Sequence, residues 1–339
     1  MRRWDLSYGL ALLACACSES NDDPPRPSGP PAWQVVLEGT PGALLRAHGT
    51  SANDVWIVGA DADGQGPLVY HYDGQRLNKH DTGTTGDLWW VQADLARDEI
   101  RMVGERGRVV QYRPSTGQFS ERSAPTTDTI FGVWGDGAAS AWYVGGETSA
   151  NRGVIWRDDG TTISAPVPLP VATSSATFFK VQGFDADAVW MVGQRGRALF
   201  FDGQAITETP TPTFLPLIAV HGRSADQVYA VGGVADGVIL RREGQGWVDE
   251  TPRGLPQMSG IWVTPDGTAY AAGFNGHLYV RREGVWSEFE APPTFQDFHA
   301  IWVDDQGGIW AVGGRLAADP PKDGVLVYYG PPLPEGIGP

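Results

Sequence analysis

LIAVHGRSADQVYAVGGVADGVILRREGQGWVD, residues 217–249, is one unit of a pattern that recurs along nearly the whole chain. An apolar run around Ala219-Val220 opens it, and a second run ends at Val231-Gly232. Val238-Ile239-Leu240 follows Gly237, and a last short run after Glu243-Gly244 carries Trp247. Runs this short, bounded by turn residues, read as four strands, here A to D. The pair that closes strand B stands at Val58-Gly59, Val103-Gly104, Val144-Gly145, Val192-Gly193, Val231-Gly232, Ala272-Gly273 and Val312-Gly313. Its glycines are 45, 41, 48, 39, 41 and 40 residues apart.

That period, built from short strands and turns, predicts an all-β chain folded as a seven-bladed propeller of four-stranded blades. Strand A carries a column at Ala47, Val91, Val133, Val181, Val220, Ile261 and Ile301. Strand B places Trp56, Trp142, Trp190, Tyr229, Tyr270 and Trp310 at one matched position, with Arg101 as the exception. Strand C is continuously apolar, as expected where neighbouring blades cover both faces. Acidic-Gly pairs such as Asp73-Gly74 and Asp202-Gly203 supply hairpin turns after it. The seventh repeat stops at Tyr328-Tyr329-Gly330, after strand C. Ala32-Trp33-Gln34-Val35 matches the strand D segment Gln245-Gly246-Trp247-Val248, so the amino-terminal strand is expected to complete the last blade and close the ring.

With these columns in place, the repeat resembles bacterial propeller repeats common in secreted proteins and lipoproteins, from Trp33 to Gly330. Double glycines at Gly145-Gly146, Gly232-Gly233 and Gly313-Gly314 give a distant likeness to kelch repeats. The Trp-Asp ending of WD repeats and the Asp-box of sialidase propellers are both missing. The resemblance therefore implies a fold more than an activity.

The amino terminus reads as an export signal. Arg2 and Arg3 precede a mostly apolar stretch from Leu6 to Ala16, which is too short to span a bilayer. A small residue before cysteine resembles the lipobox of bacterial lipoproteins. Cys17 has the longer apolar run before it and is the preferred lipidation site, with Cys15 the alternative. Residues 1–17 are thus expected to be a signal peptide, 18–32 a Pro/Ser-rich spacer and 33–339 the propeller. No Asp follows either cysteine, which in the lipoprotein pattern implies the outer membrane, on its periplasmic or surface side.

Lys and Arg number 25 against 40 Asp and Glu, a formal net charge of −15, so nucleic acid is not an expected partner. Both cysteines lie in the first 17 residues. No disulfide is therefore available to the blades.

Ten of the 14 tryptophans fall in repeat columns and are read as packing between blades. Function is sought in residues that break a column. The residue before the strand A column is small at Gly132, Ala219, Gly260 and Ala300, as crowding near the axis demands, but it is Arg46, Trp90 and Lys180 in three blades. One position earlier, His299 and Ser259 interrupt the apolar set Leu45, Trp89, Phe131, Phe179 and Ile218. Arg46, Trp90, Lys180 and His299 are the ligand-binding candidates for a central funnel, the cations suited to an anion and the indole to a ring or sugar. Plugging the channel is the competing role for them.

His48 and His221 share one position and are read as hydrogen-bonded packing. Asp61-Ala62-Asp63-Gly64-Gln65-Gly66 offers two carboxylates of a calcium loop but lacks the third acidic position and the distal Glu, so no cofactor is expected. No catalytic constellation or transition-metal spacing is present. The B–C loops are tight in blades 2, 4 and 6 and longer in the odd blades. The expected function is non-catalytic: a monomeric, exported, lipid-tethered binding or assembly module for a protein or glycan of the cell envelope. A hydrolase or lyase working in the central funnel is the alternative.

Overall fold

The computed structural model describes residues 28–94, 97–135, 140–164, 166–170 and 175–338. The expected signal segment, with Cys15 and Cys17, and most of the expected spacer lie outside these residues. Seven antiparallel sheets follow one another around an axis, each built from consecutive strands except the last. Their inner strands are Leu44–Ser51, Leu88–Asp94, Thr129–Gly135, Phe178–Asp185, Leu217–Ser224, Met258–Val263 and Asp297–Val303, for blades 1 to 7.

Blade 7 takes its outer strand from the other end of the chain. Ala32–Gly42 runs antiparallel to Lys322–Gly330, pairing Ala32 with Gly330, Trp33 with Tyr329 and Gly42 with Lys322. The Trp33 indole adds a bond from Nε1 to the Glu290 carbonyl at 2.9 Å, across to the segment after blade 6. The ring is closed as its two ends predicted.

Blade 3 departs from four strands. Its outer position is reduced to a bridge between Ile163 and Asp158. The segment that follows contains Pro166, Pro168 and Pro170, which have no N–H to give a ladder. Between them the Val167 N–H still donates to the Ile155 carbonyl at 2.8 Å. Across the adjoining face, Arg122 of blade 2 makes a bidentate pair with the fully buried Asp158, at 2.7 and 3.1 Å. Tyr143 donates its hydroxyl to the same carboxylate at 3.0 Å.

The tryptophan column is core, as read: Trp56, Trp142, Trp190 and Trp310 are at most 2% exposed. Arg101, its exception, is also buried and is neutralised by a bidentate bond to Glu99 at 2.9 Å. Each hydrophobic cluster spans neighbouring blades, Trp190 of blade 4 with Val228 and Leu240 of blade 5 for example. In the absence of disulfides, this shared burial holds the ring together. Among the described residues no helix is long and apolar enough to cross a membrane.

The three tight B–C loops are single 3-10 turns at Glu105–Gly107, Gln194–Gly196 and Phe274–Gly276. Their central residues, Arg106, Arg195 and Asn275, lie at φ of 56°, 59° and 57°, where asparagine is at ease and arginine is held by the turn.

Candidate functional site

Every inner strand carries a β-bulge at the same place. The register slips between Leu44 and Arg46, Leu88 and Trp90, Ile130 and Gly132, Phe178 and Lys180, Leu217 and Ala219, Met258 and Gly260, and Phe298 and Ala300. An extra residue in a strand breaks the two-residue alternation. Two successive columns therefore reach the axis instead of pointing to opposite faces, and they form two stacked layers.

The extra residues make the upper layer. Trp89, Phe131, Phe179, Ile218, Ser259 and His299 wall a cavity of about 370 Å³ at the loop face, with Lys180 also lining it. Three edge-on or tilted contacts run around this wall: His299 to Trp89 at 5.7 Å, Trp89 to Phe131 at 5.3 Å and Phe131 to Phe179 at 5.6 Å. Thr148, Gln257, Phe274, Leu316 and Ala317 come from the loops and blade connections around it. Leu316 and Ala317 belong to the long B–C loop of blade 7. No carboxylate is among the residues lining this mouth.

The layer below closes the axis. The Arg46 guanidinium sits 3.8 Å from the centre of the Trp90 ring and the Lys180 ammonium 4.3 Å from it, so one indole holds two cations. Lys180 Nζ donates to the Phe131 carbonyl at 3.0 Å, and Arg46 Nη1 to that of Ile301 at 3.4 Å. Arg46 Nε is buried without a hydrogen-bond partner. The void left around Arg46, Trp90, Gln182, His221 and Ser259 is about 10 Å³, barely room for one water. Small residues fill the rest of the layer because the next inner strand is already there: a Cβ on Gly260 would meet the Ile301 nitrogen at 2.8 Å.

Burial holds the Arg46 pKa down to about 9. Burial first, then the charge of Arg46, pushes that of Lys180 well below the usual lysine value. His299 is pushed down to about 3 by burial and by Lys180 and Arg46, and is neutral at neutral pH. Its Nδ1 lies 2.5 Å from the Leu45 carbonyl, which can only accept. The proton is therefore on Nδ1 and Nε2 is left as an acceptor.

A third ring, His48, Gln92, Trp134, Gln182, His221, Trp262 and Trp302, lies toward the opposite face and ties blades together. His48 Nδ1 accepts the Ala93 N–H at 3.2 Å, and His221 Nδ1 that of Val263 at 2.9 Å. Gln92 Oε1 accepts the N–H of Gly135 at 2.7 Å. At two of the three tryptophans the next blade offers glycine: Trp134 lies over Gly183, whose Cβ would fall 2.4 Å from the indole, and Trp302 over Gly49, at 3.0 Å. His48, Trp262 and Trp302 also line a lower cavity of about 540 Å³.

The four sequence-selected residues thus reach one axis. Arg46, Trp90 and Lys180 form a stack and His299 stands in the wall above it. Sequence reasoning missed the bulge that separates the layers, and the loop residues Thr148, Gln257, Phe274, Leu316 and Ala317. Adjacent apolar pairs such as Leu44-Leu45 and Phe178-Phe179, which break alternation, are the signal that marks the bulge. At the calcium-like loop, Asp61 spends its two oxygens on the N–H groups of Gly66 (2.9 Å) and Gly86 (2.8 Å). Among the described residues no three acidic, histidine or cysteine side chains gather as a metal would need.

No protein-family model matches the chain, and no curated protein does. Among solved structures it is similar to the extracellular domain of BT4673 from B. thetaiotaomicron, at 12% identity and a TM-score of 0.67 over 88% of this chain. The chain spans only 40% of that structure's length. U3-55K is similar at 10% identity and a TM-score of 0.67, with 88% of this chain and 99% of that one covered. YCF48 from Cyanidioschyzon merolae has 14% identity and a TM-score of 0.64, with 88% and 98% covered. A further structure has YCF48 bound to D1 peptide. At these identities the likeness establishes the propeller fold alone.

Proposed function

We propose that this protein is an exported, membrane-tethered propeller that binds a protein partner on its loop face and does no chemistry itself. The observation that carries the reading is the apolar, aromatic-walled mouth on that face, free of carboxylates. Phe214 and Phe295 reinforce it. They hold equivalent positions in the connections leading into blades 5 and 7, where Thr85 and Thr127 stand in others, and they are 93% and 92% exposed. Those connections touch the B–C turns, Thr211 Oγ1 donating to the Gly196 carbonyl at 2.7 Å, so both rings lie on the face of the mouth. Aromatic groups exposed beside an apolar cavity suit protein recognition. YCF48 bound to D1 peptide is a precedent in this fold.

A hydrolase or lyase needs a base active near neutral pH. The three axial histidines are each held down to about 3, with Nδ1 committed to a backbone group. The tether reading rests on Arg2, Arg3, the apolar run and Cys17, and on the likeness to lipoprotein propellers. It agrees with the topology: Gly42 ends beside the blade 7 loop, so Ala32, at the other end of that strand, enters on the opposite face.

The test is capture of envelope proteins on the immobilised propeller. A partner held by the parent and by Val285→Asp, a change on an outer strand, but lost from Phe214→Asp/Phe295→Asp supports the reading. Equal retention by all three rejects it.

A further inference from the structure

Two buried cations stand on the axis without a carboxylate to neutralise them. Lys180 is 2% exposed and Arg46 4%, and their hydrogen bonds go to carbonyl oxygens alone. Neither is in an ion pair among the described residues. Elsewhere in the ring Arg101 has Glu99 and the half-buried Arg281 has Glu250, whereas Arg242, also buried, has the Gly246 carbonyl and the Trp190 face on a strand away from the axis. A protein with 40 acidic residues has many carboxylates to place. Keeping them away from this pair leaves room for an anion from outside.

We infer that the loop-face cavity binds a small monocarboxylate with an apolar body, its carboxylate on Lys180 Nζ. The ammonium has three N–H groups. One goes to the Phe131 carbonyl and the Trp90 face takes part of the remaining charge, while Lys180 itself lines the cavity. A carboxylate there gains a charge-assisted hydrogen bond in surroundings of low dielectric, where a lone cation is costly. The body of the ligand meets Trp89, Phe131, Phe179 and Ile218, and ring or chain carbons match those walls. Phosphate and sulfate fit less well, because Lys180 is the one cation lining the cavity and the other polar groups are few and neutral: Thr148, Gln257, Ser259 and His299. A volume of about 370 Å³ lies at the small-ligand end of binding cavities.

This inference rests on the mouth being a ligand entrance, as proposed above, but needs no protein partner. The test uses the mature chain and three probes with one body: phenylacetate, 2-phenylethanol and 2-phenylethylamine. Hexanoate supplies an aliphatic body. Calorimetry and thermal shift are expected to give saturable binding of both acids, with the alcohol weaker by about tenfold or more and the amine weaker still. Lys180→Met is expected to abolish the preference for acid over alcohol. If that variant does not fold, the comparison on the parent protein decides alone. Equal binding of acid and alcohol, binding of neither acid, or an acid preference retained in Lys180→Met overturns the inference. Acid binding with failed partner capture rejects the docking reading only, and the converse result rejects the carboxylate site only.

Discussion

His48 Nδ1 takes the backbone N–H of Ala93 at 3.2 Å, so an imidazole from blade 1 fastens the inner strand of blade 2. His221 repeats the contact with Val263 between blades 5 and 6, at 2.9 Å. Protonation of either ring at Nδ1 destroys the acceptor. Burial, the main cause, together with the nearby charge of Arg46, holds both down to about 3.

An unfolded histidine titrates near 6.5, so below that pH the unfolded chain takes up protons that the folded one refuses until about 3. Stability is complete above about pH 6.5 and falls as pH drops through this window, by at most about 1.4 kcal/mol per pH unit for each ring. Gln92 makes the equivalent bond with its Oε1. His48→Gln/His221→Gln should therefore match the parent at pH 8 and exceed it at pH 5 in urea unfolding. A difference that does not widen on acidification rules out neutral, bond-accepting histidines.

Closure of the ring by residues 32–42 leads to a pair of deletions. Removing Ala32 to Leu37 takes away the pairing with Leu326 to Gly330 and the Trp33 bond to Glu290, leaving blade 7 with an open edge. The melting temperature should fall sharply. Removing residues 18–31 should leave it almost unchanged, and equal melting temperatures for the two deletions contradict closure.

The spacing of Val-Gly pairs and the match between Trp33 and Trp247 made the blade number and the closure legible, because turn chemistry and strand patterning are local. The outer strand of blade 3 was legible at Ile163, which bridges Asp158, but not its irregularity, which follows from the alternating prolines after it that have no N–H to give a ladder. Column breaks at Arg46, Trp90, Lys180 and His299 were legible too. Their division into plug and wall was not. It depends on the bulge and on how far side chains of blades 1 and 4 reach across to blade 2, which no single repeat encodes.

The polar seam between blades 2 and 3 is open to a double-mutant cycle. Asp158 is fully buried and receives Arg122, Tyr143 and the Gly160 N–H. Asp158→Ala should cost about 3–5 kcal/mol, the range for breaking a buried ion pair. Arg122→Ala should cost less, because Asp158 keeps its other two donors. The double variant should be less destabilised than the sum, and simple additivity in denaturant unfolding would mean the two groups are not coupled.

The Trp90 ring serves both Arg46 and Lys180, at 3.8 and 4.3 Å from its centre, and the members of this stack differ in what their loss should do. Trp90→Ala opens a cavity and removes the shared ring, leaving two buried cations with neither screen nor acid. A core aromatic alone costs about 3–5 kcal/mol, and the exposed repulsion adds to it. Arg46→Met behaves oppositely. It removes a charge whose Nε has no partner and whose bond to Ile301 is long, and it fills similar space with carbon. Replacing an uncompensated buried ion by an apolar group of like volume is neutral or stabilising. Thermal unfolding should place Trp90→Ala far below the parent and Arg46→Met at or above it. A large loss of stability in Arg46→Met would mean that the guanidinium is held by contacts stronger than its bond to Ile301.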